Sequence, residues 1–490
     1  MLIYVPRLSN RLGYTLKVVF THILNIDYSV TLDKEFFEES NGPKLCYGDT
    51  PIGDAPFIKS HRLLFKTTIE EQEIRHSIFT AADGIPQYPL STLTQHKPSY
   101  LSYPNQTKDS TAQPADGIDI LFPTFGKQLL LPFDIFAATF FLISRYEEYL
   151  PHREDIHGRF LAHESIAYQY GFLQTAIVDR WAIWLYNELK TIYPDLPPYK
   201  RNFNTVATID IDAAYCYQHK GLFRSALGML RDSFSHHDLD EVKERIRVLC
   251  HKEKDPFDTF DFIISTKKAN PSVKLLFFPL LGDYGVYDKP ASFHNKHFRE
   301  LLQHLGDYSK VGIHSSYNTL EKPHLIKKEN QRLADILHRP IVRNRFHFLR
   351  LQLPKSYRSL IMANINHDYS MGYAEEPGFR AGTSNPYPFY DLERDEETML
   401  TIHPFSLMDT TLFKFKGFKA EEALDYYKKS IDEIQSVNGT FCAIWHNQNL
   451  CDKYGWEHWG EVFSQTINYA AQKTNSAHSN QAYTNSPSEQ

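Results

Sequence analysis

Apolar runs of strand length recur along the chain from Asn202 onward, and most of them end in a polar or charged residue. The end points are Asp210, Asp283, His314, Arg345 with His347, Asp368 and His446. The two intervals that follow Asp283 are about 30 residues each, enough for one strand and one crossover helix. Parallel strands that carry polar groups at their carboxyl ends are typical of (β/α) barrels. The pattern therefore predicts an α/β fold, with a distorted (β/α) barrel over residues 200–470.

The N-terminal part of the chain has a different pattern, in which short strand-like runs alternate with polar turns. Asp134 then precedes an apolar stretch that it can cap as a helix, and a second amphipathic helix is predicted from Gln174 to Thr191. The proline-rich sequence PDLPPYK marks a boundary between two architectures. We predict the following division: a smaller α+β domain with a helical connector at 1–195, the barrel at 200–470 with a helical insertion at about 221–269, and a disordered tail at 474–490.

Composition and charge narrow the class of protein. Hydrophobic residues make up 42% and charged residues 23% of the chain, as in an ordinary globular fold. A net charge of -6 without a long Lys/Arg block argues against nucleic acid as a partner. The apolar run Phe136–Ile143 is far shorter than the roughly 20 residues of a membrane-spanning helix. Because the first residues also lack the features of a signal peptide, we expect a cytoplasmic protein.

Two aspartates give the sharpest local signal, in the sequence TIDID that ends at Asp212. Strand alternation places Thr208, Asp210 and Asp212 on one face. Two carboxylates so close together are unfavourable unless a cation or a proton compensates their charge, so the motif indicates a divalent metal or a general base. A surface turn with two solvated aspartates is the structural alternative.

Three histidines at other strand ends are candidates for the same site. His314 and Asn318 fall at i and i+4 if the strand runs into a helix, and His314 can then reach a metal held by Asp212. In RNRFHFLR, Arg345 can pair with Asp210 while His347 approaches the metal.

His446 ends the strand FCAIWH, where a histidine can serve as general acid. His403 and Asp409, in LTIHPFSLMD, are weaker candidates for lining the same cleft. Each histidine taken singly also has a structural explanation.

Taken together, these motifs resemble those of the polysaccharide deacetylases, also called carbohydrate esterase family 4 or the nodulation chitooligosaccharide deacetylase homology domain. TIDID is similar to the first motif, usually TxDD, and HSSYN to the second, usually HSxxH. Arg345, Asp368 in HDYSMGY and His446 in IWHN follow in the order of the third, fourth and fifth motifs. Flanking phrases such as EEPGFRAGTSNPYPFYDL resemble a Bacteroidetes-type subgroup that adds an uncharacterised N-terminal domain.

The resemblance implies a catalytic role for four residues. Asp210 would be the general base and Arg345 would orient it. His446 would be the general acid, tuned by Asp368. The reaction implied is the hydrolysis of an N-acetyl or O-acetyl group on a sugar.

The resemblance also implies a divalent metal, zinc first and cobalt or nickel as alternatives, with Asp212 and His314 as ligands. Asn318 stands where the family has a second histidine, and Asp212 is separated from Asp210 by one residue. Either His347 supplies the third ligand, or the site takes a harder cation through Asn318, or the metal has been lost. We favour His347.

Three functions remain open from the sequence. The leading one is a deacetylase acting on a carbohydrate substrate, the precursor of an envelope polysaccharide or glycolipid. The second is a non-catalytic relative that binds a sugar or a biosynthetic partner, which the missing second histidine would favour. The third is a metal-dependent hydrolase of a non-sugar amide, since a fold does not fix a substrate.

Overall fold

The computed structural model describes residues 1–80, 117–126, 128–219 and 239–484. The N-terminal segment, residues 1–195, contains a four-stranded parallel sheet of order β2-β1-β3-β4 and an antiparallel pair, β5 with β6. The strands are β1 Leu2–Tyr4, β2 Ser29–Thr31, β3 Lys44–Gly48, β4 Phe57–Lys59, β5 His76–Thr80 and β6 Gly117–Leu121. The α+β prediction for this segment is wrong for its main sheet, because helices connect strands that run parallel.

Among the described residues of this segment, five α-helices accompany the strands. They are Asn10–Leu16, Lys34–Glu39, Ile135–Ile143, Ile166–Gln169 and Ile177–Ile192. The predicted cap at Asp134 is confirmed, since its Oδ1 accepts hydrogen bonds from the N–H groups of Phe136 and Ala137. Its Oδ2 accepts from Tyr47 and His61, so one buried carboxylate joins the helix to the parallel sheet.

The C-terminal segment, from residue 200 onward, has ten strands in two sheets over residues 200–219 and 239–484. One sheet has the order β15-β16-β7-β8-β9, all parallel, and the other has the order β10-β11-β12-β14-β13, in which β13 is antiparallel. The strands are β7 Asn204–Ile211, β8 Lys274–Pro279, β9 Lys310–Val311, β10 Ile313–Ser315, β11 Arg343–Phe346, β12 His367–Asp368, β13 Tyr387–Asp391, β14 Glu396–Ile402, β15 Leu407–Met408 and β16 Thr440–His446.

Parallel strands were predicted here and are confirmed, whereas closure into a barrel is not. A bridge between Leu280 and His314 connects the sheets beside β8 and β10, but the described strands do not form one closed sheet. All the predicted strand ends except Asp283 lie in a strand or directly after one. Asp283 follows β8 by four residues and is paired with Lys328 and Arg332 at the surface.

Seven α-helices belong to the described part of this segment. They are Leu239–Leu249, Phe260–Ala269, Lys296–Tyr308, His324–Leu337, Lys355–Met362, Ala420–Ser436 and Trp459–Thr484. Of the predicted insertion, residues 220–238 lie outside the described residues and the remainder carries two helices. The last helix continues to Thr484, residues 485–490 lie outside the described residues, and the disordered tail from Thr474 stays a prediction. Among the described residues, no helix has both the length and the apolar character required to cross a membrane.

The two segments are joined by buried polar groups as well as by apolar packing. Glu148 lies between the guanidinium groups of Arg145 and Arg380, at 2.7 Å from each. Burial raises the pKa of Glu148, but the two arginines outweigh it and lower that pKa to about 2. Asp179 accepts four hydrogen bonds from side-chain and main-chain donors of residues 383–385. A single cluster of buried apolar side chains also runs through both segments.

Candidate active site

Three side chains that can bind a metal meet at the carboxyl ends of strands from both sheets. Asp212 follows β7, His314 lies in β10 and His347 follows β11. Their candidate ligand atoms all lie within 4.8 Å of one another. Oδ1 of Asp212 is 3.3 Å from Nε2 of His314 and 3.6 Å from Nε2 of His347. The structure thus brings these three predicted ligands together, and we call them the Asp-His-His cluster.

The orientation of both imidazoles is fixed from behind. Nδ1 of His314 donates to the carbonyl oxygen of Arg345 over 2.9 Å, and Nδ1 of His347 donates to Oδ1 of Asp288 over 2.8 Å. Asp288 is buried and also accepts the N–H of Tyr317. Because each Nδ1 is already engaged, Nε2 is the atom that each ring presents to Asp212.

The charges of the cluster favour a cation. Burial raises the pKa of Asp212, but the imidazoles, His347 first, outweigh it and hold that pKa well below its usual value. Burial lowers the pKa of His347, yet Asp212 and Asp288 together raise it to about 9. The same carboxylates that favour protonated imidazoles would also attract a metal ion. Protons and a metal ion are therefore expected to compete for the imidazole nitrogens, as at other metal sites.

Asp210 and Arg345 lie on the inner side of the cluster. Nε of the buried Arg345 is 3.8 Å from Oδ1 of Asp210, and its Nη2 donates to Thr208 over 2.8 Å. The guanidinium group lies against the rings of Phe278 and Phe405. Strand alternation predicted this pairing of Arg345 with the inward face of β7, and the observed distances agree with it.

His446 approaches the cluster from β16, and Asp409 holds it there. Its Nδ1 donates to Oδ1 of Asp409 over 2.7 Å, and its Nε2 is 3.9 Å from Oδ2 of Asp212. Oδ2 of Asp409 also accepts the N–H of His446 and an N–H of Asn449. Burial lowers the pKa of His446, but Asp409 and Asp212 raise it to about 9, so the ring carries both protons near neutral pH.

The predicted role of Asp368 as the group that tunes His446 is wrong, because Asp409 fills that position. Asp368 is buried and accepts hydrogen bonds from Asn344, Tyr357 and Ser370. In the sheet it pairs with Asn344, which alternates with Arg345 and therefore faces the opposite side. Asp368 supports the sheet from its outer face.

The predicted ligand role of Asn318 is also not supported. The chain after β10 forms a short 3-10 turn, Tyr317–Thr319, in place of the helix that would put Asn318 on the same face as His314. Glu329 and Asp288 accept the N–H groups of Ser316 and Tyr317 and hold that turn. Asn318 is exposed, whereas His314 is buried.

Two residues that complete the site were missed or given little weight by sequence reasoning. Asp288 lies in a loop with no motif around it, and Asp409 carried only the signal of following a short strand, β15. Their importance depends on contacts with His347 and His446, which are distant in sequence.

The residues present fit a divalent metal. One carboxylate and two imidazoles form a donor set with room for further ligands, as in catalytic zinc sites. Oδ1 of Asp212 and Oδ1 of Asp210 are buried and accept no hydrogen bond of good geometry. Buried carboxylate oxygens without a donor are costly, and a bound cation would compensate them.

Comparisons with known proteins give a family model for the N-terminal segment alone. Residues 1–194 match a family of unknown function, DUF7033. No curated protein matches the chain in sequence.

Among solved structures, the chain is similar to proteins named as polysaccharide deacetylases. The one from Mycobacterium smegmatis is 12% identical with a TM-score of 0.36, covering 57% of this chain and 92% of its own. The one from Pseudomonas aeruginosa PAO1 is 11% identical with a TM-score of 0.34, covering 55% and 85%. The one from Bacillus cereus is 10% identical with a TM-score of 0.27, covering 56% and 88%. Identities of 10–12% and TM-scores of 0.27–0.36 are too low to assign a function to this chain.

Proposed function

We propose that the protein is a metal-dependent hydrolase that removes an acetyl group from an N-acetylated or O-acetylated sugar. The observation that carries this proposal is the convergence of the Asp-His-His cluster, Asp210 and the Asp409–His446 pair at the ends of parallel strands. The sugar as substrate comes from the motifs that resemble those of the polysaccharide deacetylases. In this proposal the two sheets of the C-terminal segment are an opened, distorted (β/α) barrel, with a domain boundary near 195–200.

Asp212, His314 and His347 would hold the metal, for which zinc is our first candidate. When bound, such an ion supplies Lewis acidity that polarises a carbonyl oxygen and makes water a better nucleophile at neutral pH. The two acceptors behind the imidazoles, the carbonyl of Arg345 and the carboxylate of Asp288, would keep both rings in place.

The other residues would move and direct the protons. Asp210 is the general base that takes a proton from the attacking water, and Arg345, with Nε 3.8 Å from Oδ1, would orient this carboxylate. His446, which pairs with Asp210 between β16 and β7 and lies 3.9 Å from Asp212, gives a proton to the departing amine or alcohol. Asp409 would hold His446 in the orientation that presents Nε2 to the leaving group.

The proposal is tested by metal content and acetate release measured on the same purified samples. The variants are Asp212→Ala and His314→Ala, with exposed residues of the same types, Asp307→Ala and His304→Ala, as matched controls. We expect about one equivalent of metal and acetate release from N-acetylated oligosaccharides in the wild type and both controls, and neither in the site variants. A wild-type protein that stays metal-free after supplementation with zinc, cobalt or nickel would overturn the mechanism and favour a non-catalytic sugar-binding protein.

A further inference from the structure

An aromatic cluster of four rings lies beside the candidate active site. Three rings come from loops of the C-terminal segment and one comes from a loop of the N-terminal segment. Tyr287 stacks on Tyr317 with ring centres 4.1 Å apart. Phe348 meets both rings edge-on at 5.5 and 5.4 Å. His157, from the N-terminal segment, packs edge-on against all three at 5.1 to 5.7 Å. We refer to Tyr287, Tyr317, Phe348 and His157 as the aromatic cluster.

Asp288 connects this aromatic cluster to the Asp-His-His cluster. It follows Tyr287 in the chain, accepts the main-chain N–H of Tyr317 and holds Nδ1 of His347. Phe348 directly follows His347 and has a left-handed backbone, with φ of 59°. The His347 ring therefore belongs to the Asp-His-His cluster while the Phe348 ring belongs to the aromatic cluster. Any molecule that contacts Tyr287 or Phe348 therefore lies close to the loop that orients a metal ligand.

The N-terminal segment contributes its part through a well-anchored loop. Nδ1 of His157 is 3.0 Å from the hydroxyl of Tyr317. Arg159 donates to the carbonyl oxygen of Phe348, and Arg350 donates to that of His157. These contacts hold His157 against rings that belong to the active-site loops.

The aromatic cluster is not sealed from solvent. Tyr287, which directly precedes the buried Asp288, is 42% exposed, and Val286 before it is 81% exposed. Packing between the segments alone would not require an exposed tyrosine at this place. The apolar C–H face of a sugar ring is a suitable partner for such a tyrosine, since an aromatic ring offers a flat apolar surface beside a polar hydroxyl.

We propose that the aromatic cluster binds a second sugar ring next to the acetylated one, and that the N-terminal segment thereby takes part in substrate selection. This inference rests on the proposed function for the identity of the neighbouring reaction. It adds a subsite built from both segments, and it predicts a preference for oligosaccharides over single sugars.

The test compares the binding of N-acetylglucosamine with that of its β-1,4-linked tetramer by calorimetry. Asp210→Asn serves as the background, because it is expected to bind these sugars without hydrolysing them. In that background we expect Tyr287→Ala to raise Kd for the tetramer about fivefold, and to raise it at least threefold more than Kd for the monomer. His157→Ala should also weaken tetramer binding more than monomer binding, but by less than Tyr287→Ala does, since His157 acts by supporting the exposed Tyr287 ring.

Tyr308→Ala is the matched control, because Tyr308 is 45% exposed and lies just before the amino end of β9, far from the strand ends that carry the site. Equal tetramer binding in the Tyr287→Ala and Tyr308→Ala proteins would overturn the inference, as would wild-type binding of the tetramer no tighter than that of the monomer. If the wild type releases no acetate but Tyr287→Ala still weakens tetramer binding, the proposed hydrolase fails while the sugar subsite stands.

Discussion

Replacing Asp288 tests whether the Asp-His-His cluster is held by the residues behind it. Oδ1 of Asp288 lies 2.8 Å from Nδ1 of His347 in a place where the aspartate side chain is only 2% exposed. Groups that orient a metal-bound histidine typically change metal affinity by about 10-fold to 100-fold, or about 1.4 to 2.8 kcal/mol. A hydrogen bond to a charged group contributes roughly 1.5 to 3 kcal/mol, which agrees with that range.

Two substitutions of Asp288 separate the contribution of its charge to zinc affinity from the contribution of its hydrogen bonds. In Asp288→Asn the amide oxygen can still accept from His347 and Tyr317, so only the charge is lost and we expect zinc to bind about 10-fold more weakly. In Asp288→Ala both donors lose their acceptor in a buried place, and we expect about 100-fold weaker binding. Asp283→Asn, in the same loop but 61% exposed and paired with Lys328 and Arg332, should change affinity less than about twofold.

Competition with a fluorescent zinc chelator gives these affinities, and the unfolding temperature measured beside it shows whether each variant is folded at the temperature of the assay. Wild-type affinity in both folded Asp288 variants would refute the reasoning, because His347 would then not depend on its partner. Equal weakening in Asp283→Asn would also refute it, since the effect would then belong to the loop as a whole.

Two further predictions follow from single carboxylates. Asp409→Ala should lower kcat roughly 100-fold with unchanged metal content, since His446 loses the acceptor that orients it, whereas Asp368→Ala should lower the unfolding temperature more than kcat; equal losses of kcat would contradict this. Burial raises the pKa of Asp134 in the fold from 3.8 to about 6, so the native state binds the extra proton and this group's stabilising contribution falls by about 3 kcal/mol as the pH rises through that window. Between pH 4.5 and pH 7, urea unfolding should show about 2 kcal/mol of that fall in the wild type but not in Asp134→Asn, and parallel pH profiles of the two proteins would count against it.

The alternation of side chains along a strand was sufficient to predict part of the site from the sequence. Thr208, Asp210 and Asp212 share a side because they are spaced by two, and the same rule brought Arg345 and His347 to it. The side on which each of these residues lies can therefore be predicted from the sequence of its own strand. Parallel strands were also predicted from a local pattern, namely apolar runs separated by intervals long enough for a helix.

Register and long-range contacts decided the rest. Asp368 ends a two-residue strand, and its side depends on pairing with Asn344, which a single sequence does not show. Asn318 was predicted on one face with His314 if a helix followed the strand, but Asp288 and Glu329 hold a turn there through the main-chain N–H groups of residues 316–317. Both acceptors are far from the turn in sequence, so local propensity could not indicate them.

The buried contacts of Glu148 and Asp179 set a limit on how this gene can be divided. A fragment that begins at residue 200 would retain Arg380 but lose the carboxylate that neutralises it, and would leave the donors of residues 383–385 without their acceptor. A charge stripped of its buried partner typically costs about 3 to 5 kcal/mol, which is a large share of a domain's entire stability. Recombination that joined a foreign N-terminal segment to this C-terminal segment would therefore succeed only if it supplied both acids, so the two segments are expected to be inherited as a pair.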